Sequence, residues 1–176
     1  MLPMADAPRR TDIVCDQGTL PFQNWFVQQR AESPVREVRF EGASDPTPEV
    51  LAAIDACDLV IVGPSNPYVS IDPILTLTGV RQALAKKKVI AVSPIVGGRA
   101  VKGPLASMIR TLAEREPSAG AVADHYDGLL AGIVVEQGDE AEVKNLPVRG
   151  LSTIMGGGED RERLAREVLK FAGELQ

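Results

Sequence analysis

Two short runs of apolar, largely β-branched residues constrain the fold of this chain most. They are LVIVG at residues 59–63 and KVIAVSP at residues 88–94, and each ends abruptly at Gly or Pro. Runs that lack polar alternation are typical of strands buried on both faces of a parallel sheet. Each run therefore predicts a central parallel strand that stops at a turn.

Helix-like segments precede both runs. TPEVLAAIDAC begins with Thr47 as a candidate N-cap and Pro48 at the first helical position, and GVRQALAKKK ends in cations, as helix C-termini prefer. Further helices are predicted in GPLASMIRTLAERE and EDRERLAREVLKFAGEL, and further strands in GIVVEQ, PVRGLSTIM, RTDIVCDQG and VREVRFEG. Alternating strands and helices predict an α/β protein with a mainly parallel, twisted sheet and helices on both faces, similar to a Rossmann fold.

The bulk composition is that of one ordinary globular domain, which we predict to span residues 1–176. Hydrophobic residues make up 44% of the chain and charged residues 24%. The formal net charge of −5 argues against nucleic acid as the main partner, because no basic stripe is present to displace phosphate counterions. A single anionic cofactor could still be bound locally.

The cysteines and the apolar segments indicate a cytoplasmic protein. Cys15 and Cys57 lie far apart, without a second Cys or His at the spacing of metal ligands, so free thiols are expected. No apolar run reaches the ~18 residues that a membrane span needs, and the N-terminus lacks the pattern of a signal peptide.

The first candidate site is the loop GPSNPYVS that follows the strand of residues 59–63. In open parallel sheets, ligands bind outside the carboxyl ends of the strands. Gly63 would let the backbone approach a ligand, Ser65 and Asn66 offer polar groups, and Pro64 stiffens the loop. Ser70 could cap the segment that begins at Ile71 and leave an anion seat. A rigid turn in which Ser and Asn satisfy their own backbone is an equal alternative.

The second candidate site is SPIVGGRAVKGP, directly after the strand of residues 88–92. Gly97 and Gly98 permit left-handed backbone, and Arg99 and Lys102 bring positive charge, so the loop could cradle phosphate. It matches neither the P-loop spacing nor the dinucleotide-binding glycine pattern, and a tight turn is the alternative. Two such loops after neighbouring strands would line one rim.

The remaining motifs favour structural roles. His125, the single histidine, lies between Asp124 and Tyr126 with no nucleophile motif, so we interpret it as a structural residue hydrogen-bonded near a helix end. The aromatic cluster, Phe22, Trp25 and Phe26, is interpreted as core. No carboxylate spacing predicts a metal loop.

Several blocks carry a family likeness, in collinear order over nearly the whole chain. They are LPMADAPRRTDIVCDQGTLPFQNWFV, DLVIVGPSNPYVSIDPIL, GVRQAL, VIAVSPIVGGRAVKGPLASMI and VADHYDGLL. Together they resemble the C-terminal part of the 2-phospho-L-lactate transferase (CofD) family.

The resemblance implies an activity in the biosynthesis of the deazaflavin coenzyme F-420. Members of that family transfer a phospholactyl or phosphoenolpyruvyl group from a guanosine-diphosphate-activated donor to the deazaflavin Fo and release GMP, with Mg²⁺ assisting. The two candidate loops would then face the donor and its phosphates. Metal ions and preorganised N–H and cationic groups suit this chemistry, which consists mostly of positioning and charge stabilisation.

The sequence also departs from the family pattern. The Gly-rich N-terminal portion and its acceptor-binding and metal-binding residues are absent, so the Rossmann-like fold is expected to be incomplete and the Mg²⁺ ligands have no counterpart here. The family's Asp before Thr-Leu-Met is replaced in LSTIM, residues 151–155, and its Leu-Asp-Gly reads LAG at residues 130–132.

Three functional hypotheses follow, and whether the chain is an enzyme stays open. The first is a shortened transferase or a fragment of one, which another polypeptide could complete. The second is a non-catalytic nucleotide-binding or nucleotide-sugar-binding regulatory module, and the third is an inactive homologue with a decayed site. Retention of GPSNP and SPIVGG favours the first. An exposed sheet edge would then be expected to cause self-association or to bind a partner chain that supplies the N-terminal half.

Overall fold

The structure is a computed structural model that describes residues 1–175. The strands are β1 (Arg9–Cys15), β2 (Gly18–Pro21), β3 (Val35–Gly42), β4 (Leu59–Val62), β5 (Lys88–Val92), β6 (Ile95–Val96), β7 (Arg99–Ala100), β8 (Gly132–Glu136) and β9 (Val148–Leu151). The helices are α1 (Pro48–Ala56), α2 (Asp72–Leu75), α3 (Val80–Leu84), α4 (Leu105–Leu112), α5 (Ala119–His125) and α6 (Gly158–Glu174), with π-helical segments at Asn24–Gln28 and Pro67–Ile71.

A four-stranded parallel sheet, in the order β4-β5-β8-β9, forms the centre of the molecule. Along β5, Val89 and Ala91 face the helices α3, α4 and α5, whereas Ile90 and Val92 face α6. The apolar residues of β5 are buried on both faces, which explains why the strand shows no polar alternation. The predicted α/β class, with a parallel sheet and helices on both faces, is confirmed.

The N-terminal strands form a separate antiparallel sheet in the order β2-β1-β3. Its strands alternate buried and accessible residues, a pattern that suits a sheet with one face on a core and the other in solvent. The core beneath it contains Ile13, Trp25 and Val35, and Met108 of α4 joins them. Helix α4 thus contributes to both cores, with Leu105 and Ile109 in the core of the parallel sheet and Met108 in the core of the N-terminal sheet.

The helix that precedes β4 begins where the sequence predicts. Thr47 is the N-cap of α1 and Pro48 is its first residue. However, the Thr47 hydroxyl donates to the carbonyl oxygen of Pro3 at 3.1 Å instead of accepting from the helix backbone. Thr47 thereby ties the N-terminal segment to the start of α1.

Strand β4 lies at one edge of the parallel sheet and pairs only with β5 among the described residues. The residue Ile61 of this strand is 42% exposed. No helix within residues 1–175 is both long and apolar enough to cross a membrane.

Candidate functional site

A cleft of about 460 Å³ opens at the carboxyl ends of the parallel strands. Its walls come from the loops after β4, β5 and β9, together with the π-helical segment near the N-terminus and the start of α4. The lining residues are Phe22, Phe26, Pro64, Ser65, Asn66, Val69, Ser70, Ser93, Pro94, Val101, Lys102, Gly103, Pro104, Leu105, Thr153, Ile154 and Met155. This is the edge of an open α/β sheet at which ligands bind.

The loop after β4 is fixed mainly by Asn66. Its side-chain oxygen accepts a hydrogen bond from the backbone N–H of Tyr68 at 3.0 Å, and its amide nitrogen lies 3.4 Å from the Met108 sulfur. Asn66 is therefore the N-cap of the π-helical segment 67–71. The predicted capping role of Ser70 is wrong, because Ser70 lies inside that segment and its own N–H donates to the Asn66 carbonyl.

The loop after β5 begins with Ser93, which is buried, with only 1% of its surface exposed. Its hydroxyl accepts from the N–H of Ile95 at 3.1 Å, so the chain turns immediately into the hairpin of β6 and β7. Ser93 is the first residue of the predicted second loop but has no predicted binding role, although its position directly after a buried strand was a usable signal.

The two glycines of the second candidate loop form the turn of this hairpin. Gly97 and Gly98 have φ values of 54° and 71°, the left-handed backbone that two-residue hairpin turns require. The Gly97 N–H donates to a carboxylate oxygen of Asp139 at 2.8 Å, so this N–H is already satisfied within the protein.

The predicted binding residues thus divide into two groups. Pro64, Ser65, Asn66, Ser70 and Lys102 line the cleft, whereas Gly63, Gly97, Gly98 and Arg99 lie outside its lining. The structure brings the two predicted loops to one rim, and the second loop reaches the cleft with its two ends, residues 93–94 and 101–104, whereas its hairpin turn does not. The nucleotide-binding roles of all nine residues stay predictions.

Charge in the cleft comes from one side chain. Lys102 is the only charged residue among those that line the cleft in the described chain. Next to it, Pro104 and Leu105 place the start of α4 at the cleft, and that helix has no side-chain cap. The N-terminal end of a helix carries a partial positive charge and free N–H groups, so both features favour an anion.

The third wall is residues 152–155 between β9 and α6, a segment with no predicted site role; we call it the strap. Thr153 is almost fully buried, and its N–H and hydroxyl both donate to the same carboxylate oxygen of Glu136, at 2.7 and 2.6 Å. Ile154 and Met155, in contrast, are 55% and 38% exposed. The strap therefore presents apolar side chains to the cleft while its backbone is anchored to the sheet.

Two phenylalanines add a further apolar part to the cleft lining. Phe22 and Phe26 stack nearly parallel, with ring centroids 5.5 Å apart and an interplanar angle of 7°, and Phe26 is 37% exposed. Trp25 is buried and donates from its indole N–H to the Ser33 carbonyl at 2.9 Å. The prediction that this cluster is core is confirmed for Trp25, whereas Phe22 and Phe26 line the cleft.

His125 lies outside the cleft lining, at the end of α5. Its Nε2 is 3.0 Å from both carboxylate oxygens of Asp72, and its ring meets Tyr68 edge-on at 4.4 Å. The interpretation of His125 as a hydrogen-bonded residue near a helix end is confirmed. The pair joins α5 to the helix that follows the β4 loop.

The residues of this chain do not fit a Mg²⁺ site. The cleft lining contains no carboxylate, and residues 1–175 contain no group of three or more His, Cys, Asp or Glu side chains that could hold a metal ion. Mg²⁺ prefers carboxylate and phosphate oxygens.

Comparison with solved structures agrees with the fold. The chain superimposes on a Bacillus halodurans protein with a TM-score of 0.67, covering 95% of this chain and 60% of that one at 14% identity. A second structure, described as a UPF0052 family member from the same organism, gives a TM-score of 0.64 at 13% identity. These similarities concern the fold alone.

Comparison of sequences is more specific. The chain is 35% identical to a 2-phospho-L-lactate transferase of Methanopyrus kandleri, 40% to one of Methanospirillum hungatei and 39% to a phosphoenolpyruvate transferase of Thermobifida fusca. These alignments cover 96–100% of this chain but only 57% of each relative. The family description 2-phospho-L-lactate transferase CofD matches residues 1–170. The chain therefore belongs to the CofD family of 2-phospho-L-lactate transferases.

Proposed function

We propose that the cleft binds the phosphates of a guanosine-diphosphate-activated donor. The chain would thereby contribute to a transferase of coenzyme F-420 biosynthesis that moves a phospholactyl or phosphoenolpyruvyl group to Fo. One observation carries the proposal: the chain has a net charge of −5, yet the only charged group lining its cleft in the described structure is the cation Lys102. An acidic protein with such a cleft is suited to an anionic ligand.

The groups around Lys102 support binding of phosphate in particular. The start of α4 offers the positive end of a helix dipole, and Ser65 and Ser70 offer hydroxyl donors on the facing wall. These groups would bind the diphosphate, orient it and offset its negative charge, which is much of what phosphoryl-type transfer needs.

The apolar walls support a planar acceptor. The stacked Phe22–Phe26 pair and the residues Ile154 and Met155 give the cleft lining a partly exposed, apolar portion. Aromatic rings favour offset-stacked or edge-on contacts, and apolar side chains cover ring faces without unsatisfied polar groups. A deazaflavin ring system has the shape and polarity for this part of the cleft.

One observation favours a second candidate function, nucleotide binding without catalysis. The lining residues within the described chain include neither a carboxylate nor an imidazole, the side chains that most often transfer protons in catalysis. If no further residues join the site, this chain would bind a nucleotide as a regulatory module and leave the acceptor unreacted.

For catalysis, we propose that further residues come from a partner polypeptide that supplies the part of the relatives not matched here. The chain spans 57% of the length of those relatives, and strand β4 lies at the edge of the parallel sheet, where one of its two hydrogen-bonding edges is unpaired among the described residues. An unpaired strand edge is a template for pairing with another chain. Self-association through the same edge is the competing outcome.

A complementation assay tests the proposed function. The chain is incubated with Fo, Mg²⁺ and each guanosine-activated donor, with and without the unmatched N-terminal portion of the Thermobifida fusca relative. We expect phosphorylated deazaflavin only in the complemented mixture, together with a complex of both polypeptides by light scattering. Product from the isolated chain would show that no complement is needed. Failure in both mixtures with donor binding intact would favour the binding module, and failure without binding would overturn the proposal.

A further inference from the structure

The strap, residues 152–155, differs from the other cleft walls in how it is held. It has no helix or strand hydrogen bonding of its own after β9 ends at Leu151, and Ile154 and Met155 are 55% and 38% exposed. Of its four residues only Thr153 is buried. Hydrogen bonds at its first two residues are therefore important for its position.

These hydrogen bonds come from both neighbouring layers. Glu136, the last residue of β8, accepts from the Thr153 N–H and hydroxyl with one carboxylate oxygen. From the side of α6, Arg163 donates to the Ser152 carbonyl at 2.8 Å. Hydrogen bonds to ionised groups are shorter and stronger than neutral ones, and Thr153 is nearly buried, so losing the acceptor would leave two donors unsatisfied.

We propose that Glu136 is a positioning residue for the cleft. It does not line the cleft itself, but its carboxylate holds Thr153 and thereby sets where Ile154 and Met155 stand. Through these two side chains, Glu136 governs affinity for a planar aromatic ligand. The statement about affinity rests on the proposed function, whereas the statement about the strap's position does not.

The four methionines of the chain provide a direct readout of the strap's position. With ¹³C-methyl methionine labelling, each methionine gives one NMR signal, and Met155→Leu identifies that of the strap. Met108 is buried in the core against the N-terminal sheet and serves as an internal reference. In Glu136→Ala we expect the Met155 signal to shift or broaden and the Met108 signal to stay in place.

Graded variants separate positioning from general damage. Glu136→Gln keeps an acceptor oxygen and should restore much of the Met155 signal, and Thr153→Val removes one of the two hydrogen bonds at nearly constant shape. Glu162→Ala is the matched control, because it removes the same charge from an exposed pair with Arg166 on α6. A wild-type Met155 signal in both Glu136→Ala and Thr153→Val would overturn the positioning role.

The effect of Glu136 on ligand affinity is measured by fluorescence titration of the same proteins with Fo. We expect affinity to fall about tenfold in Glu136→Ala, the effect of losing a charge-assisted contact pair, and to recover in Glu136→Gln. A shifted Met155 signal with unchanged affinity would overturn the control of binding. If wild type does not bind Fo, the affinity claim fails with the proposed function, while the Met155 signal still decides the positioning claim.

Discussion

At the residue scale, the two tyrosines are the groups whose ionisation the fold changes most clearly. Tyr126 is 2% exposed, and burial raises the pKa of its phenol far above the ordinary value, with the negative charge of Asp72 acting in the same direction. Burial and Asp72 also raise the pKa of Tyr68, against an opposing effect of Arg115. Both phenols therefore hold their protons more tightly in the folded chain than in the unfolded chain.

This difference predicts a loss of stability in alkali. A raised folded-state pKa gives stability that is fully present below the unfolded pKa of about 10 and is lost as the pH rises above it, because the unfolded chain releases the proton first. The free energy of unfolding in urea should fall above about pH 10. Tyr126→Phe, which keeps the ring, should reduce that fall. Ionisation of both tyrosines at the ordinary pKa in the folded protein, followed by absorbance, would contradict this assignment.

At the element scale, two helical glycines occupy opposite environments. Gly120 lies in α5, where a Cβ would collide with the backbone oxygen of Glu142. Gly173 lies in the last turns of α6, where a Cβ would meet nothing within 4 Å. Helix propensity alone would favour Ala at both positions by about 1 kcal/mol. At Gly120, the collision with the backbone therefore determines whether Ala raises or lowers the free energy of unfolding.

The two Ala substitutions are thus expected to have opposite effects. Gly120→Ala should lower the free energy of unfolding by about 1–3 kcal/mol, because the rigid backbone contact forces α5 away from the turn at residues 140–142. Gly173→Ala should raise it by about 0.5–1 kcal/mol. Urea unfolding of both variants measures these changes. A Gly120→Ala protein as stable as wild type would show that α5 is free to move.

At the scale of the whole molecule, local patterns predict the parallel sheet well and the cleft only in part. β5 is readable because both of its faces are buried, so its sequence is continuously apolar. Loops directly after such strands, including Pro64 and Asn66, can be assigned to the ligand edge by the geometry of open sheets. The separate antiparallel sheet was not predicted as such, because its strands carry no signal of their partners.

Two features of the cleft could not be predicted from local sequence, for physical reasons. Glycines with left-handed backbone occur both in anion-binding loops and in two-residue hairpin turns. The local sequence around Gly97 and Gly98 therefore does not show which of these two structures they form. The hydrogen bond between Thr153 and Glu136 holds the strap at the cleft. Both residues are distant in sequence from the predicted loops, and only the strand order β5-β8-β9 brings the strap and these loops together. That order is a tertiary property.

Calorimetric titration with GDP tests the central claim that this cleft seats the phosphates of a guanosine nucleotide. Lys102 lines the cleft, whereas Lys170 is an exposed residue of α6 outside the lining, so Lys170→Ala is a charge-matched control for Lys102→Ala. We expect Lys102→Ala to weaken binding about tenfold, as loss of a charge-assisted contact implies, and Lys170→Ala to bind as wild type does. Equal affinity in wild type and Lys102→Ala, or no binding by wild type, would contradict the claim.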